Sequence, residues 1–333
     1  RNWKGHGVIA RIGSRRLLEQ LRRTGVPIVD VETIMADEPG LGRVNTDDAK
    51  RAGMALAHLL DRGFTRFAHY AEPRPGFPLA PGRAFEAAVV ARGYECRVYR
   101  ASLPKRTECE WTGEQRRIAA WIATLPAPTA VFVGDSHCGR RVLEACRTAG
   151  IDVPQQIAVI AGDTDDLMCE VATPPISSVE LACRRIGYLA ASLLDRLMAG
   201  HKPPEKPILV PPLRVIARQS TDLLAIEDAD VVAAIRHIRS HAAGPIHVRD
   251  VLASVPVSRR LLEQRFQAAL GHGPAEEIRR VRLERARELL AHSDSSIEQI
   301  AKGVGFRTAT RLGVAFKKQF GMTPRSWRTS RGR

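Results

Sequence analysis

The chain has 333 residues, with 51 Lys and Arg against 36 Asp and Glu, a formal net charge of +15. That length is enough for two or more domains, each with a buried core. No apolar run approaches the length of a membrane span and no signal-peptide pattern is present, so we expect a cytoplasmic protein without a membrane partner. Because the chain starts at Arg1 rather than Met, we expect its true N-terminus to lie further upstream.

The six cysteines include no C-x-x-C pair and no histidine at zinc spacing, which predicts reduced thiols and no metal site. The sequence also has no G-x-G-x-x-G loop, Walker loop or G-x-S-x-G elbow, so we expect neither an enzyme nor a cofactor. One alternative stays open, a DNA-binding domain fused to an alkyl-acceptor or sugar-modifying domain. An alkyl acceptor would need an activated pair, and His137-Cys138 is the adjacent candidate. The cysteines lie at positions 96, 109, 138, 146, 169 and 183.

From residue 7 to residue 210, short apolar runs alternate with amphipathic segments. Strands that alternate with helices across short turns predict a parallel α/β domain. The stretch 72–82 is rich in Pro and Gly and is predicted to be a loop. The predicted strands are 7–10, 26–29, 67–70, 96–99, 130–133, 157–161 and 208–210, and the predicted helices are 14–23, 49–60, 83–92, 112–124, 139–149 and 181–198.

Two aspartates follow predicted strands at the positions where open α/β sheets bind ligands. Asp135 follows the strand V-F-V-G, and Asp163 follows V-I-A-G. Short side chains that only accept hydrogen bonds suit the vicinal hydroxyls of a sugar, so both are candidate ligand residues. A helix N-cap or a turn is the alternative role for each. Asp165 and Asp166 are predicted to be solvated or capping, and His69 to pack rather than face the cleft.

The last third of the chain contains two similar pairs of short helices. In the second pair, Ser295 and Glu298 form a predicted capping box, glycines supply the turn, and the following helix exposes a basic face. The first pair repeats the pattern, with Ser258 as the predicted cap of its second helix. A long helix over 274–291, entered by proline, separates the pairs. This internal duplication predicts two helix-turn-helix units.

The charge of the last third also indicates DNA. Residues 228–333 carry 20 Lys and Arg against 10 Asp and Glu, which predicts a nucleic-acid module attached to a near-neutral body. Arg and Gln can bond bidentately to guanine and adenine edges, so we expect the first reading helix to discriminate bases more than the second. Phosphate contact alone is the alternative role of its two arginines. The predicted DNA-binding residues are Ser258, Arg259, Arg260 and Gln264 on the first helix and Arg307, Thr308, Thr310 and Arg311 on the second.

The C-terminal segment resembles the DNA-binding domain of the AraC family of bacterial transcription regulators. The matching stretches are R-L-E-R-A-R-E-L-L at 282–290, S-I-E-Q-I-A-K-G-V-G-F at 296–306 and A-F-K-K-Q-F-G-M-T-P at 315–324. The family usually has a polar residue and then an arginine at the positions of Gly313 and Val314, and that arginine often helps to hold phosphate. This chain departs from the family pattern there.

The N-terminal part resembles the sugar-sensing core of the LacI-type regulators. The matching stretches are V-N-T-D-D-A-K-R-A-G at 44–53, H-L-L-D-R-G-F at 58–64 and G-I-D-V-P-Q-Q-I-A-V-I-A-G-D at 150–163. A LacI-like sensor joined to an AraC-type reader is similar to the bacterial xylose operon regulators. The stretch I-L-V-P-P-L-R-V-I-A-R-Q-S-T-D at 208–222 extends this resemblance over nearly the whole chain.

The resemblance implies a sugar effector, a pentose such as xylose, bound between two lobes, and a duplex DNA operator bound by a homodimer. RNA polymerase is a further partner if the regulator activates. Asp135 and Asp163 fall on the family's strand-end ligand positions. The family's cleft arginine corresponds to Arg83, although Pro81 occupies the expected place itself. By the same resemblance, Trp3 lies about a third of the way into the N-terminal lobe, so the sensor's first strand and helix precede this sequence.

The expected fold is an α/β periplasmic-binding-protein-like sensor, with parallel sheets in two lobes, followed by an all-α DNA-binding domain with two helix-turn-helix units. The expected organisation is an N-terminally truncated LacI-like effector-binding domain over 1–216, a linker over 217–230, an AraC-type double helix-turn-helix domain over 231–328 and a basic tail over 329–333.

Overall fold

The computed structural model describes residues 5–331 except 33, 35–37, 39, 72–78, 101–107, 227, 242–243 and 245. The chain forms two compact units, Arg1–Ala225 and Ile226–Arg333. Among the described helices we find none with both the length and the hydropathy of a membrane span. The predicted loop at 72–82 lies mostly outside the described residues, as do the side chains of Glu108–Thr112, including Cys109.

The strands of the first unit form two separate sheets. In chain order they are β1 (Val8–Ala10), β2 (Ile28–Asp30), β3 (Gly42–Thr46), β4 (Phe67–Ala71), β5 (Cys96–Arg100), β6 (Thr129–Val133), β7 (Ile157–Ala161), β8 (Ser177–Glu180), β9 (Ile208–Val210) and β10 (Arg214–Ile216). The smaller sheet has the order β1-β2-β3-β9, with every pair parallel. The larger has the order β10-β8-β7-β6-β4-β5 and is parallel except for β10, which runs antiparallel to β8.

Helices cover both faces of both sheets, as strands of parallel sheets require. Alternate residues of one strand enter opposite cores. On β6, Val131 and Val133 pack on the side of helices 108–122 and 136–149, whereas Phe132 packs on the side of helices 48–60 and 80–91. On β2, Ile28 packs towards α1 and Val29 towards α7. These helices are α1 (Arg15–Arg22), α2 (Asp48–Leu60), α3 (Ala80–Ala91), α4 (Glu108–Ile122), α5 (Ser136–Ala149), α6 (Asp166–Val171) and α7 (Cys183–Met198).

The two sheets define two lobes, and the chain crosses between them after β3, after β8 and after β9. Crossing segments of this kind form a hinge between lobes and leave a cleft bounded by strand ends. The predicted two-lobed α/β sensor is therefore the observed fold.

Three short strands escaped the sequence prediction, namely β3, β8 and β10. The reason is clearest in β8, which reads S-S-V-E and has no apolar run. Ser177 and Ser178 are nevertheless fully buried. The backbone N–H of Arg218 donates to Ser177 Oγ at 2.8 Å, and the Ser177 N–H donates to Ser220 Oγ at 2.8 Å. Partners about forty residues away therefore make burial of this polar strand possible.

The end of the first unit lies further along the chain than predicted. The single helical turn Gln219–Thr221 packs into the larger sheet, where Ser220 and Thr221 are fully buried. Ser220 Oγ donates to the carbonyl of Val159 on β7 at 2.6 Å. Residues 217–225 thus belong to the sensor and do not form the first half of a linker.

In its described residues, the second unit contains helices and the segments that connect them, and no strands. Its helices are α8 (Ala229–Ser240), α9 (Val248–Leu252), α10 (Arg259–Leu270), α11 (Pro274–His292), α12 (Ile297–Gly303), α13 (Ala309–Phe320) and α14 (Pro324–Arg331). The core around α11, α12 and α13 includes Leu283, Ile300, Leu312 and Phe316, with Trp327 of α14 packed against it. The predicted tail at 329–333 is therefore helical up to Arg331.

The capping box of α12 lies one residue later than predicted. Ser296 Oγ accepts from the Gln299 N–H at 3.1 Å, and Gln299 Oε1 accepts from the Ser296 N–H at 2.8 Å. Ser295 and Glu298, the predicted pair, are displaced by one position. Adjacent serines followed by Glu and Gln satisfy the same sequence pattern in two registers.

Candidate ligand cleft and DNA interface

The two predicted ligand aspartates lie side by side at the ends of β6 and β7. Asp163 Oδ1 accepts from the N–H of Ser136, the residue after Asp135, at 3.1 Å. A Cβ built on Gly162 would lie 2.9 Å from the carbonyl oxygen of Gly134, so glycine is needed where the strand ends approach. The two V-x-x-G-D-like stretches thus converge on one site.

Asp135 is also a helix N-cap, which was the alternative to its predicted role as a ligand residue. Its Oδ1 accepts from the Cys138 N–H at 2.8 Å, which caps the N-terminus of α5, and the residue is only 7% exposed. Asp165 likewise caps α6 through the Met168 N–H, as predicted. Capping fixes the direction in which the Asp135 carboxylate points.

Burial and the neighbouring Asp135 charge raise the pKa of Asp163 to about 6. The Ser136 N–H opposes this shift, as do the charges of Arg51 and Arg11. Two carboxylates held close in a desolvated site resist full ionisation unless donors or cations surround them. The site is therefore prepared for a ligand that donates hydrogen bonds.

Arg51, a residue that the sequence analysis missed, supplies charge from α2. It is 6% exposed, pairs with Asp48 in the first turn of the same helix, and its Nε is buried without a hydrogen-bond partner in the described structure. Burial raises the pKa of Asp48, and the Arg51 guanidinium opposes that shift. The D-D-A-K-R stretch, with Asp and Arg three residues apart, was the available signal.

The smaller sheet also has a buried acidic group, Asp30, at the end of one strand. Asp30 ends β2, is fully buried, and accepts at Oδ1 from the N–H groups of Ile12 and Glu32, each at 3.0 Å. Its Oδ2 is buried without a partner in the described structure, and burial raises its pKa to about 6. Arg11, which follows β1, contacts Glu32 at 2.6 Å and acts electrostatically on Asp163 of the other lobe.

Arg83 and His69, the other two residues considered for the cleft, both lie at or beneath the start of α3. Arg83 is exposed in the first turn of α3, and the cations that act on Asp163 are Arg51 and Arg11. His69 is buried, with Nδ1 2.7 Å from Glu86 Oε1, and burial lowers its pKa. It packs beneath α3, as predicted, so closely that a Cβ on Gly82 would lie 1.9 Å from its ring.

Four of the described cysteines have a raised pKa, which is the opposite of an activated thiol. Burial raises the pKa of Cys96 and Cys146 to about 12, and it also raises the pKa of Cys169 and Cys183. Cys138, the partner in the candidate pair with His137, is buried on α5. A reactive cysteine needs a lowered pKa and access to solvent, so the geometry does not support an alkyl acceptor.

In the second unit, α9 and α10 form the first helix-turn-helix. Ser258 caps α10 by accepting from the Leu261 N–H at 3.3 Å, as predicted. Leu262 and Phe266 are buried, and the opposite side of the helix is exposed. On that side Arg259 Nε contacts Glu263 Oε1 at 3.0 Å, while the neighbouring positions hold the other predicted contacts, Arg260 and Gln264.

Helices α12 and α13 form the second helix-turn-helix. Thr308 is the N-cap of α13, because its Oγ1 accepts from the Arg311 N–H at 3.2 Å, and a cap was not the role predicted for it. Arg307, Thr310 and Arg311 are exposed around the helix start, as expected. Buried Leu312 and Phe316 hold the opposite side of α13 in the core.

Helix α11 contacts both helix-turn-helix units. Arg282 Nη2 donates to the carbonyl of Ile246, just before α9, at 2.7 Å. A Cβ on Gly305, in the turn between α12 and α13, would lie 2.9 Å from the same guanidinium. Further along α11, the Arg287 guanidinium lies 5.2 Å from the centre of the Phe320 ring. The two reading helices are thereby held on one support.

Comparison with known proteins gives the same division of the chain. Residues 56–221 match the periplasmic binding protein-like domain, and residues 252–330 match a helix-turn-helix domain. The xylose operon regulatory protein of Escherichia coli strain K12 is 34% identical over an alignment of 339 positions, which covers 98% of this chain and 85% of that protein. The xylose operon regulatory protein of Haemophilus influenzae is 31% identical over 328 residues, 97% of this chain and 84% of that one.

The solved structure of the xylose-binding transcription activator XylR is similar to this chain with a TM-score of 0.60 at 33% identity, covering 99% of this chain and 88% of that one. Fold and sites thus define a DNA-binding transcription regulator with a periplasmic-binding-protein-like sensor. Within that class, the chain belongs to the family of the xylose operon regulatory proteins.

Proposed function

We propose that the chain controls a sugar-utilisation operon, binding its operator through the second unit in response to a pentose held in the first. Xylose is the first candidate, because the relatives are named for the xylose operon. The observation that carries the proposal is the convergence of Asp135 and Asp163 at the strand ends of the sensor. The same chain presents two capped helices with exposed basic side chains.

The charges of the cleft favour a neutral sugar over a phosphorylated one. Among the described residues, acidic side chains outnumber the basic ones in the linked group of charges, which consists of Asp30, Glu32, Asp47, Asp48, Asp135 and Asp163 with Arg11 and Arg51. An anionic ligand would meet like charges in a desolvated site, whereas sugar hydroxyls can donate to the carboxylates. Arg83 remains a predicted ligand residue at the start of α3.

On the DNA side, we propose that α10 and α13 each enter the major groove. Two of the predicted contacts, Ser258 and Thr308, also cap their helices. The predicted contacts are Ser258, Arg259, Arg260 and Gln264 at α10 and Arg307, Thr308, Thr310 and Arg311 at α13. The support is their exposure opposite the buried stripes of the two helices. Two readers on one chain span sites about one helical turn apart, roughly 10 base pairs.

We propose further that the regulator acts in the cytoplasm as a homodimer. Two copies would place four reading helices on two half-sites of one operator. RNA polymerase is the additional partner if binding activates transcription.

Calorimetric titration of the full chain with pentoses, hexoses and sugar phosphates tests the ligand. We expect xylose to bind and the phosphates not to bind. Asp163→Ala should weaken xylose binding at least tenfold, since loss of a charged hydrogen bond costs roughly 1.5–3 kcal/mol. Asp163 is the better target because replacing Asp135 would also remove the cap of α5.

Asp195→Ala, at an exposed position of α7, is the matched control and should bind xylose like the wild type. DNA binding without sugar should persist in both variants. Unchanged xylose affinity in a folded Asp163→Ala variant would rule out the assignment, and a panel in which no sugar binds would rule out the sensor function.

A further inference from the structure

Val314 is the one large apolar side chain that is exposed among the described residues of the second unit, with 69% of its surface accessible. It lies in the middle of α13, two residues after Leu312 and two before Phe316, both of which are fully buried. Each residue of an α-helix advances by about 100°, so Val314 projects almost opposite this buried stripe. It occupies the centre of the surface that α13 presents to solvent.

Polar and basic side chains surround this valine on the helix surface. Residues three and four positions apart are neighbours on a helix, so Thr310 and Arg311 flank Val314 on one side and Lys317 and Lys318 on the other. All four are exposed. An apolar centre inside a cationic ring matches the major groove, where phosphates line the edges and the thymine C5-methyl group is the apolar feature of the floor.

The residue before Val314 leaves room for a close approach. A Cβ built on Gly313 would meet nothing within 4 Å. The helix surface therefore has no side chain directly beside the valine methyl groups, and the backbone of α13 can come near to a base edge at this position. Neither residue contributes to the core of α13 as Leu312 and Phe316 do. A β-branched residue and a glycine are also poorer helix formers than most, so helix stability does not explain them.

We propose that Val314 reads a thymine in the operator by packing its methyl groups against the thymine C5-methyl. The proposal rests on the proposed function, since it requires α13 to enter the major groove. It makes Val314 a specificity-determining residue, and it gives the second reading helix a base preference of its own. Arg311 and Lys318 then hold the flanking backbone while the valine discriminates.

The test uses duplexes selected by the full-length chain from a randomised library. In the preferred duplex, each thymine is replaced in turn by deoxyuridine, which removes only the C5-methyl group. We expect one thymine under α13 whose replacement weakens binding of the wild type about fourfold, the value of one buried methyl group at about 0.8 kcal/mol. For Val314→Ala, the ratio of affinities for thymine and uracil at that position should fall close to one.

Val90→Ala is the matched control, since Val90 is 64% exposed on α3 of the sensor. It should leave every thymine-to-uracil ratio unchanged. Val314→Thr keeps the shape and one methyl group, and it should give an intermediate ratio.

The outcomes separate the inference from the function beneath it. If the wild type selects no preferred duplex, the operator-binding function itself fails. If it selects one but no thymine is sensitive, or Val314→Ala keeps the wild-type ratio at the sensitive thymine, only the role of Val314 is overturned. A wild-type ratio of thymine to uracil affinities in Val314→Ala is also the result expected if Val314 contacts a protein rather than DNA.

Discussion

Replacing Asp163 by asparagine should stabilise the ligand-free sensor and weaken its sugar binding at the same time. Asparagine has nearly the same shape, and its Oδ1 can still accept from the Ser136 N–H, the bond made by Asp163 Oδ1 at 3.1 Å. What it removes is a negative charge that burial and the neighbouring Asp135 disfavour. With the ligand role that we propose for Asp163, the charge would serve ligand binding at the expense of stability.

The magnitude follows from the pKa of Asp163, which is raised from 3.8 to about 6. A shift of about two units corresponds to roughly 3 kcal/mol, and partial solvation of the site reduces this, so we expect a gain of roughly 1–3 kcal/mol at pH 7. The folded protein binds the proton of the Asp163 carboxyl more tightly than the unfolded chain does, and this sets the sign of the pH dependence. The free energy of unfolding contributed by this group thus falls between about pH 4 and pH 6 and stays low above pH 6.

Urea unfolding of wild type and Asp163→Asn at pH 4 and pH 7.5 measures the effect. The variant should be more stable at pH 7.5 and nearly equal at pH 4. Part of the pH dependence should survive in the variant, because burial also raises the pKa of Asp30 to about 6. Asp195→Asn, at an exposed site on α7, should change neither value.

Sugar titrations provide the second measurement. In the wild type, affinity should fall about tenfold per pH unit below pH 6, as the ionised form of Asp163 becomes scarce. In Asp163→Asn the affinity should be lower and lose most of this dependence. Equal stability of the two proteins at pH 7.5, or a gain that is the same at both pH values, would refute the reasoning.

Two further predictions concern the reader and the sensor scaffold. Arg260→Ala should relax preference at one base pair by about 1–3 kcal/mol, whereas a uniform loss with a shallower salt slope would show phosphate contact only. Arg16→Ala is its control, because S-R-R-L-L-E-Q occurs at both 14–20 and 258–264 and both arginines are exposed; this control should bind DNA normally. Gly162→Ala should destabilise the sensor by about 1–3 kcal/mol in thermal unfolding, since its Cβ would lie 2.9 Å from a backbone oxygen. Gly187→Ala, where a Cβ meets nothing within 4 Å, should be neutral or stabilising, and equal effects of the two would contradict this account.

The features predicted from sequence are those encoded within a few residues. Ser258 precedes an apolar stripe at helical spacing and does cap α10. The V-F-V-G-D and V-I-A-G-D stretches place Asp135 and Asp163 after buried strands, and parallel strands bring such ends to one edge. Even the small error at Ser295 is local, because two adjacent serines offer the same capping pattern.

The features missed are those that depend on contacts distant in sequence. From the sequence, Arg51 looks like one of several charged residues on α2. Only the folded sensor shows that it is buried and that its charge acts on Asp163. Asp30 likewise ends a strand of only three residues. The two N–H groups that donate to its carboxylate belong to Ile12, which is distant in sequence, and to Glu32. Strand β8 has no hydrophobic pattern, since its burial depends on hydroxyl groups of the segment 217–221.

The capping role of Asp135 is compatible with the ligand role that we propose for it. The cap of α5 fixes the carboxylate of Asp135 in the cleft, and the Ser136 N–H of the same turn holds Asp163 beside it. Desolvation and the Asp135 charge disfavour the ionised form of Asp163, and hydrogen-bond donors on a ligand would oppose that effect. Arg11 comes from one lobe and Asp163 from the other, so a ligand that binds both residues, as we propose, would also favour closure of the lobes. On this proposal, the unfavourable ionisation of Asp163 is the same quantity that would let a small neutral sugar shift the conformation of the sensor.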